Sequence, residues 1–482
     1  MRFQSLLYML FLAASALVHA RLSPRLRTPF LLALSWFFYA LWEPRFLALL
    51  LAVTAVSFAL ARAMRARPER KKRFLVLGLV FTLGMLFVFK YLGFFTAGLS
   101  SLLAACGFAP LSLPKLLLPA GISFFSFAVS GYLIDVYRGT AEPERNFIDY
   151  ALFVSFFPAV LSGPIERANH LLPQLRARRA PDGDDLRAGS LRFLLGLTKK
   201  LLIADRLAIL VNAAYAAPET FTGAQLLLAI LCYSVQIYCD FSAYTDMAVG
   251  SARLLGVRLF ENFDAPYSSR SVKEFWRRWH ISLSFWFRDY LYFPLGGSRK
   301  GKLRTYVNLM IVFAVSGLWH GAAWTFIVWG LLNGAYQVFG ALTLPARRSL
   351  RASLRIREDS RLTAVWQTLV TFLLTTAAWV FFRADSLPQA LLVLRRVVTL
   401  AGGVFPLRFQ ALGMNRPALI FTALSVLTLA ALDRYGQDRL CLRLENTAWR
   451  RWAFCAGLVL LTLIFGAYGP GYNAQDFVYF KF

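Results

Sequence analysis

The sequence predicts an all-α protein that is embedded in a membrane and crosses it many times. Of its 482 residues, 58% are hydrophobic and only 16% are charged, and the mean hydropathy is +0.54. Soluble domains usually contain about a quarter of charged residues. Apolar runs of about 17 to 25 residues recur along the chain, which is the length that a helix needs to cross about 30 Å of hydrocarbon. Because lipid offers the backbone no hydrogen-bond partner, such runs are expected to be helices.

The excess of positive charge fits the same class. The net charge is +28, from 53 Lys and Arg against 25 Asp and Glu. In a soluble protein this excess would point to nucleic acid. Here the basic residues form short clusters between apolar runs, which is the pattern of cytoplasmic loops, and anionic lipid headgroups attract such clusters. We therefore expect membrane lipid as a partner and no nucleic acid.

Reading the loops by their charge gives a path with about 11 to 12 transmembrane helices. The first apolar stretch is followed, not preceded, by the basic cluster 21–27, so we expect an uncleaved span whose N-terminus lies outside the cytoplasm. The expected spans cover about residues 3–20, 29–41, 44–61, 74–97, 116–136, 193–216, 222–250, 305–319, 322–342, 362–382, 417–432 and 449–468. This path places roughly 40 of the 53 basic residues on the cytoplasmic side and both chain ends outside it.

Three further apolar segments do not fit as spans. Segment 147–164 has basic flanks on both sides, so we predict that it is re-entrant. Segment 281–294 is rich in aromatic residues and lies within a basic loop, and we predict that it is re-entrant too. Segment 388–404 has Arg395 and Arg396 in its middle, which favours an interfacial helix. We find no repeat of fixed period, so a single membrane-embedded domain over 1–482 is the simplest prediction.

His320 is the strongest candidate for chemistry. Ionisable residues within apolar segments are costly, so each is a hypothesis about function. His320 lies between two apolar runs, in a segment of small residues and tryptophans that extends from Ser316 to Trp324. Small residues permit close helix approach, and imidazole is suited to proton transfer near neutral pH. A buried imidazole that hydrogen-bonds a backbone carbonyl is the alternative, and spacing alone leaves both open.

Two other groups of polar residues are weaker candidates. His280 follows a stretch of alternating basic and aromatic residues, which also describes an interfacial anchor. Asp240 and Tyr244 are four residues apart in an apolar run and therefore share a helix face. They line a wet cavity or form a network that fixes helix packing. Lys199 and Lys200 lie near the entry of a span, where we expect them to snorkel towards the interface.

Motifs of the chain occur in a characteristic order. They are 119–125, 132–138, 156–158, 163–165, 240–246, 261–263, 275–283, 288–292 and 317–321. Together they resemble the membrane-bound O-acyltransferase family, in its bacterial alginate O-acetyltransferase-like branch, over nearly the whole chain. The resemblance implies transmembrane helices with re-entrant and interfacial helices that enclose a tunnel, in a multi-pass protein of the bacterial inner membrane.

The resemblance also implies the roles of individual residues. His320 matches the signature histidine of the family, and His280 matches its second polar position in the active site. His320 would act as a general base on the acceptor hydroxyl or as a transient acyl carrier, and His280 would polarise the carbonyl or stabilise the oxyanion. The residues expected to line the tunnel or active site are Trp319, Trp324, Asp240, Tyr244, Trp279 and Ser316.

The implied reaction is O-acetylation of an exported polysaccharide, alginate-like or another cell-surface glycan. We expect no bound cofactor and no metal. The donor would be acetyl-CoA or the phosphopantetheine thioester of an acyl carrier protein, whose negative charge suits basic cytoplasmic loops. An extracytoplasmic SGNH-type acyltransferase would complete delivery and dock at the tail 477–482. Segment 162–167 also resembles the D-alanyl transfer protein of teichoic-acid modification, so transfer of D-alanine is the second candidate function. A proton-coupled transporter is the third candidate.

Overall fold

The computed structural model describes residues 1–110, 116–357, 360–403, 413, 416–435, 448–468 and 477–478. Secondary structure in these residues is helical, apart from one isolated β-bridge, so the predicted all-α class is confirmed. The chain forms two compact units, Met1–Phe193 with Tyr244–Glu261 and Leu194–Ala243 with Asn262–Phe482. The single domain over 1–482 stays a prediction.

The first unit is built from apolar helices that pack on one another. Its helices are α1 (Leu6–Arg21), α2 (Pro24–Ala40), α3 (Pro44–Ala66), α4 (Lys71–Leu86), α5 (Leu92–Ala105), α6 (Ile122–Arg138), α7 (Phe147–Ser155), α8 (Ala168–Ala177) and most of α9 (Gly183–Thr198). A π-helical turn, Phe87–Tyr91, joins α4 to α5. Prolines begin α2 and α3, where the missing N–H has no helical partner to lose.

The second unit contains the helices that carry both candidate histidines. Its helices are α10 (Asp205–Ala216), most of α11 (Gly223–Leu254), α12 (Val272–Arg278), α13 (Ile281–Phe287), α14 (Gly301–His320), α15 (Trp324–Leu342), α16 (Leu344–Ser353), α17 (Arg361–Arg383), α18 (Leu387–Val398), α19 (Arg416–Tyr435) and α20 (Ala448–Phe465). Two π-helical turns interrupt the series, Lys199–Ala204 before α10 and Arg288–Tyr292 after α13.

Helix length and composition confirm a membrane protein with several spans. Among the described residues, five helices are long and apolar enough to cross a membrane. They are Pro44–Ala66, Pro68–Ala105, α11, α15 and α17. Shorter apolar helices occur at Leu6–Arg21 and Leu419–Ala431, and a 16-residue helix such as α1 is about 24 Å long. The total of 11 to 12 spans stays a prediction.

The segments expected to be re-entrant or interfacial form short helices. α7 ends at Ser155 and turns follow it, because a proline three residues further on disfavours helical backbone in the residue before it. α18 has 12 residues, so its length of about 18 Å is too short to cross the hydrocarbon. The positions of these helices relative to a bilayer stay predictions.

Candidate active site

Close packing of α14 on α15 positions His320. His320 is the last residue of α14 and precedes the turn into α15. A Cβ atom at Gly317 would lie 2.3 Å from the Phe326 carbonyl oxygen, and one at Gly330 would lie 2.2 Å from the Phe313 carbonyl oxygen. Neither position leaves room for a side chain, so Gly317, which belongs to the segment of small residues noted in the sequence, and Gly330 bring the two backbones together. This packing fixes the turn that carries the imidazole.

Aromatic rings surround His320. Its side chain is buried, and its ring centroid lies 4.9 Å from Trp329, 5.4 Å from Phe382 and 5.0 Å from Trp319. Trp329 in turn stacks on Trp379, with centroids 5.5 Å apart. The rings restrict the orientation of the imidazole and keep bulk water away from it. Electrostatic interactions are stronger in such a low-dielectric setting than in water.

His280 lies in the turn between α12 and α13. Its backbone is left-handed, with φ +45° and ψ +54°, which is uncommon for a residue with a Cβ atom and costs about 1–2 kcal/mol. The side chain is buried, and the Phe241 ring meets it edge-on with centroids 4.7 Å apart. α12 begins at a cap in which the Ser271 hydroxyl accepts a hydrogen bond from the Glu274 backbone N–H at 3.1 Å. Because the left-handed backbone of His280 is unfavourable, the contacts around this turn must stabilise it.

Asn262 supplies those contacts from a separate part of the chain. Its side-chain Oδ1 accepts hydrogen bonds from the Ser282 backbone N–H at 3.2 Å and from the Ser282 hydroxyl at 2.6 Å. Its backbone carbonyl accepts a hydrogen bond from the Ile281 N–H at 3.0 Å. Asn262 thus satisfies N–H groups in the first turn of α13 that have no partner within the helix. The bridge between Phe263 and Trp279 holds the other side of the turn.

The two histidines come together in the second unit. Their ring centroids are 6.2 Å apart, and Trp319 lies beside both, 5.9 Å from His280. The His280 turn lies outside the five candidate spans, and burial lowers the pKa of its imidazole to about 3. His280 is therefore neutral near pH 7, with one nitrogen as a donor and one as an acceptor. The arrangement offers a proton acceptor next to a hydrogen-bond donor.

The other predicted site residues are placed differently. Trp279, Ser316 and Trp319 are buried in the same unit as the histidines, whereas Trp324 is 62% exposed and does not join them. Tyr244 belongs to the first unit, where its ring stacks on an N-terminal phenylalanine with centroids 4.8 Å apart. The lining roles of these residues stay predictions. In the described part of the chain, no group of three or more His, Cys, Asp or Glu side chains is arranged to hold a metal ion.

A polar cavity lies next to the aromatic wall of His320. Its volume is about 440 Å³, and the Phe382 ring that packs on His320 forms part of its wall. Asp240, which the sequence suggested as a candidate lining residue, also lines this cavity. Its polar lining includes Asp205, Asn212, Tyr233, Gln236, Asp240, Thr325, Arg383 and Asp385.

The sequence did not predict that Lys200 lies beside the aspartates of this cavity. The expectation that Lys199 and Lys200 snorkel is wrong, because both are buried. The Lys200 ammonium lies 2.8 Å from Asp205 and 2.7 Å from Asp240. A π-helical turn, with its i to i+5 hydrogen bonds, begins at Lys199 and brings residues 200 and 205 onto one face. The sequence feature that could have indicated this ion pair is a lysine and an aspartate five residues apart in an apolar run.

The Lys200–Asp205–Asp240 cluster also holds a segment near the end of the chain. The second carboxylate oxygen of Asp240 accepts a hydrogen bond from the Val478 backbone N–H at 2.7 Å. The Lys200 ammonium lies 4.3 Å from the centroid of the Phe477 ring, within the range of a cation–π contact. Val478 also lines the cavity, so the cluster fixes one part of the cavity wall.

Comparisons with known proteins identify the family. The sequence model of the membrane-bound O-acyltransferase family matches residues 142–384, which include both histidines. A probable alginate O-acetylase of Pseudomonas putida is 36% identical over 484 residues, covering 95% of each chain. One from Azotobacter vinelandii is 40% identical over 373 residues, covering 77% of this chain and 72% of the relative. A peptidoglycan O-acetyltransferase of Helicobacter pylori is 36% identical over 396 residues, covering 76% of this chain and 73% of the relative.

These matches extend over most of the chain and confirm the predicted resemblance. They also confirm the predicted enzyme class, an O-acyltransferase. The chain therefore belongs to the membrane-bound O-acyltransferase family.

Proposed function

We propose that this enzyme takes an acetyl group from a thioester at the cytoplasmic face and transfers it to a hydroxyl acceptor towards the opposite face, for O-acetylation of an exported glycan. The observation that carries the proposal is the buried pair of His320 and His280, with ring centroids 6.2 Å apart. Relatives that cover about three quarters or more of the chain are named as O-acetylating enzymes of alginate or peptidoglycan. Their names support acetyl as the group that moves.

The two imidazoles divide the chemistry between them. The acceptor oxygen attacks the thioester carbonyl carbon while its proton passes to His320, which acts as general base. A neutral His280 donates its N–H to the carbonyl oxygen as negative charge develops there. The carbon–sulfur bond then breaks, and the leaving thiolate takes the proton from His320. The products are an ester and a free thiol, and both histidines return to their starting state.

The charges of the second unit support an orientation of this unit in the membrane. α14 begins beside the basic stretch 299–304, and the ends of α15 and α17 away from His320 meet the basic stretch 347–361. The opposite helix ends, at His320 and Arg383, belong to the side of the polar cavity. Because basic loops stay on the cytoplasmic side, the cavity side faces away from the cytoplasm in this proposal, as do both chain ends.

The donor and the partner complete the proposal. The basic cytoplasmic stretches suit a phosphate-bearing thioester, either acetyl-CoA or an acetylated carrier protein. An extracytoplasmic SGNH-type acyltransferase then takes the acetyl group from this first hydroxyl acceptor and delivers it to the polysaccharide. The protein resides in the bacterial inner membrane.

A reconstituted assay tests this function. The purified chain in proteoliposomes is supplied with acetyl-CoA or a D-alanyl carrier protein, each labelled in the acyl group, together with an acceptor oligosaccharide. We expect labelled ester and free thiol to form from the acetyl donor only. Transfer of D-alanine would overturn the acetyl assignment, and proton-coupled movement of solute without any ester would overturn acyl transfer itself.

Asn262 offers a test of how His280 is positioned. In the Asn262→Ala variant, the Ser282 N–H and hydroxyl lose their acceptor, and each buried group left unsatisfied costs about 1–3 kcal/mol. The left-handed turn at His280 should then relax. We expect kcat for acetyl transfer to fall about tenfold or more, with the KM of the thioester unchanged, in kinetic assays of the inserted protein.

The Asn262→Asp variant is the matched control. Its carboxylate keeps an oxygen at the position that accepts from Ser282, next to the N-terminus of a helix where negative charge is favourable. Most of kcat should return in this variant. If Asn262→Ala changes only the unfolding temperature and leaves kcat intact, Asn262 does not position His280.

A further inference from the structure

We propose that the polar cavity beside His320 is the acceptor site, where Tyr233 and Gln236 hydrogen-bond an uncharged sugar residue. This inference rests on the proposed function and identifies the acceptor side of the same site. It is carried by the polar groups, the charge balance and the location of the cavity.

Two residues that line the cavity have a buried polar atom without a hydrogen-bond partner among the described residues. Tyr233 is 1% exposed and Gln236 is 7% exposed. Neither the Tyr233 hydroxyl nor the Gln236 Oε1 has a hydrogen-bond partner among the described residues. The two residues are three apart on α11, so they share a face, and both line the cavity. Since a buried polar atom without a partner costs about 1–3 kcal/mol, two of them at one cavity point to a ligand that donates and accepts hydrogen bonds.

The charges around the cavity favour a neutral ligand. Asp205 and Asp240 share the Lys200 ammonium, and Arg383 lies 3.9 Å from Asp385. Three carboxylates therefore face two cations, which leaves an excess of negative charge. A phosphate-bearing thioester or a uronate would meet net repulsion there. The hydroxyl groups of an uncharged sugar match the polar lining without a charge of their own.

The location of the cavity relative to His320 suits an acceptor. The cavity meets the first residues of α15 and the last residues of α17, and Phe382, which lines it, packs its ring on the imidazole. A sugar hydroxyl held by Tyr233 and Gln236 reaches His320 past the edge of that ring. There it gives its proton to the imidazole as its oxygen bonds to the thioester carbon and the thiolate leaves.

The size of the cavity sets the length of the ligand. Its volume of about 440 Å³ lies at the small end of ligand sites, which usually measure about 300–1,000 Å³. The site therefore takes the end of a glycan, one or two sugar residues, and leaves the remainder outside.

Tyr233→Phe and Gln236→Met test the two contacts, because each removes polar atoms and keeps most of the side-chain volume. Tyr215→Phe is the matched control. Its hydroxyl is also buried and has no partner among the described residues, but it does not line the cavity. The acceptors are mannotriose, which is uncharged, and the corresponding mannuronate trisaccharide, with labelled acetyl-CoA as donor. Binding is measured separately from the rise in unfolding temperature that each trisaccharide causes without donor.

We expect mannotriose to raise the unfolding temperature and the mannuronate to do so less. Tyr233→Phe and Gln236→Met should each raise the KM for mannotriose about three- to tenfold, as expected for one lost hydrogen bond. The KM for acetyl-CoA should not change, and Tyr215→Phe should match the wild type. Equal KM values for mannotriose in all variants, or tighter binding of the mannuronate, would overturn this acceptor site. If the wild type itself forms no acetyl ester but mannotriose still binds through Tyr233, the proposed function fails and the binding site stands.

Discussion

Replacing His320 by alanine is expected to abolish acetyl transfer. The proposed reaction needs a base that takes the acceptor proton, and general acid–base catalysis contributes about 10²- to 10⁴-fold to rate. Water cannot easily replace the imidazole, because Trp329, Phe382 and Trp319 enclose its position. We expect kcat to fall at least about 10²-fold, measured as ester and free thiol formed by the purified variant in proteoliposomes.

Two controls separate catalysis from folding. His320→Gln keeps most of the side-chain volume between the aromatic rings and should be as inactive as His320→Ala, although better packed. His170→Gln changes a histidine of the first unit, whose Nδ1 lies 2.7 Å from Glu166, and should retain full activity. An active, correctly inserted His320→Ala variant would contradict the base role, whatever its stability.

The sequence predicted those features that depend on local pattern. Apolar runs and clusters of basic residues are properties of consecutive residues, so the membrane class and the all-α fold followed from them. His320 stood out because a polar residue between apolar runs is rare. Gly317, one of the small residues around it, also behaved as predicted, since it allows α14 and α15 to approach closely.

Features that depend on distant residues were not predicted. The cap that Asn262 places on α13 joins residues 20 positions apart, and no periodic pattern reports such a pair. Lys200 and Asp240 are 40 positions apart, so a lysine in an apolar run was interpreted as snorkelling. Trp324 is near His320 in the chain but 62% exposed, so its nearness in sequence does not decide whether it lines the site, and its role stays a prediction.

Removing the Lys200 ammonium is expected to destabilise the protein more than any other single change considered. In Lys200→Met, Asp205 and Asp240 stay buried with no cation between them. Breaking a buried ion pair by removing one partner costs about 3–5 kcal/mol, because the remaining charge is uncompensated. We expect a large drop in the unfolding temperature of the purified protein, and loss of the contact with Phe477.

A combined variant separates the charge of the cluster from its packing. Lys200→Met together with Asp205→Asn and Asp240→Asn leaves no buried charge, so much of the lost stability should return. Lys302→Met, an exposed lysine at the start of α14, should show no measurable change. If Lys200→Met is as stable as Lys302→Met, the buried cluster does not support the fold. The hydrogen bond from the Val478 N–H to Asp240 is weakened when an amide replaces the carboxylate. If the combined variant regains stability but not acetyl transfer, we infer that the Asp240 carboxylate serves the cavity by holding Val478 in its wall.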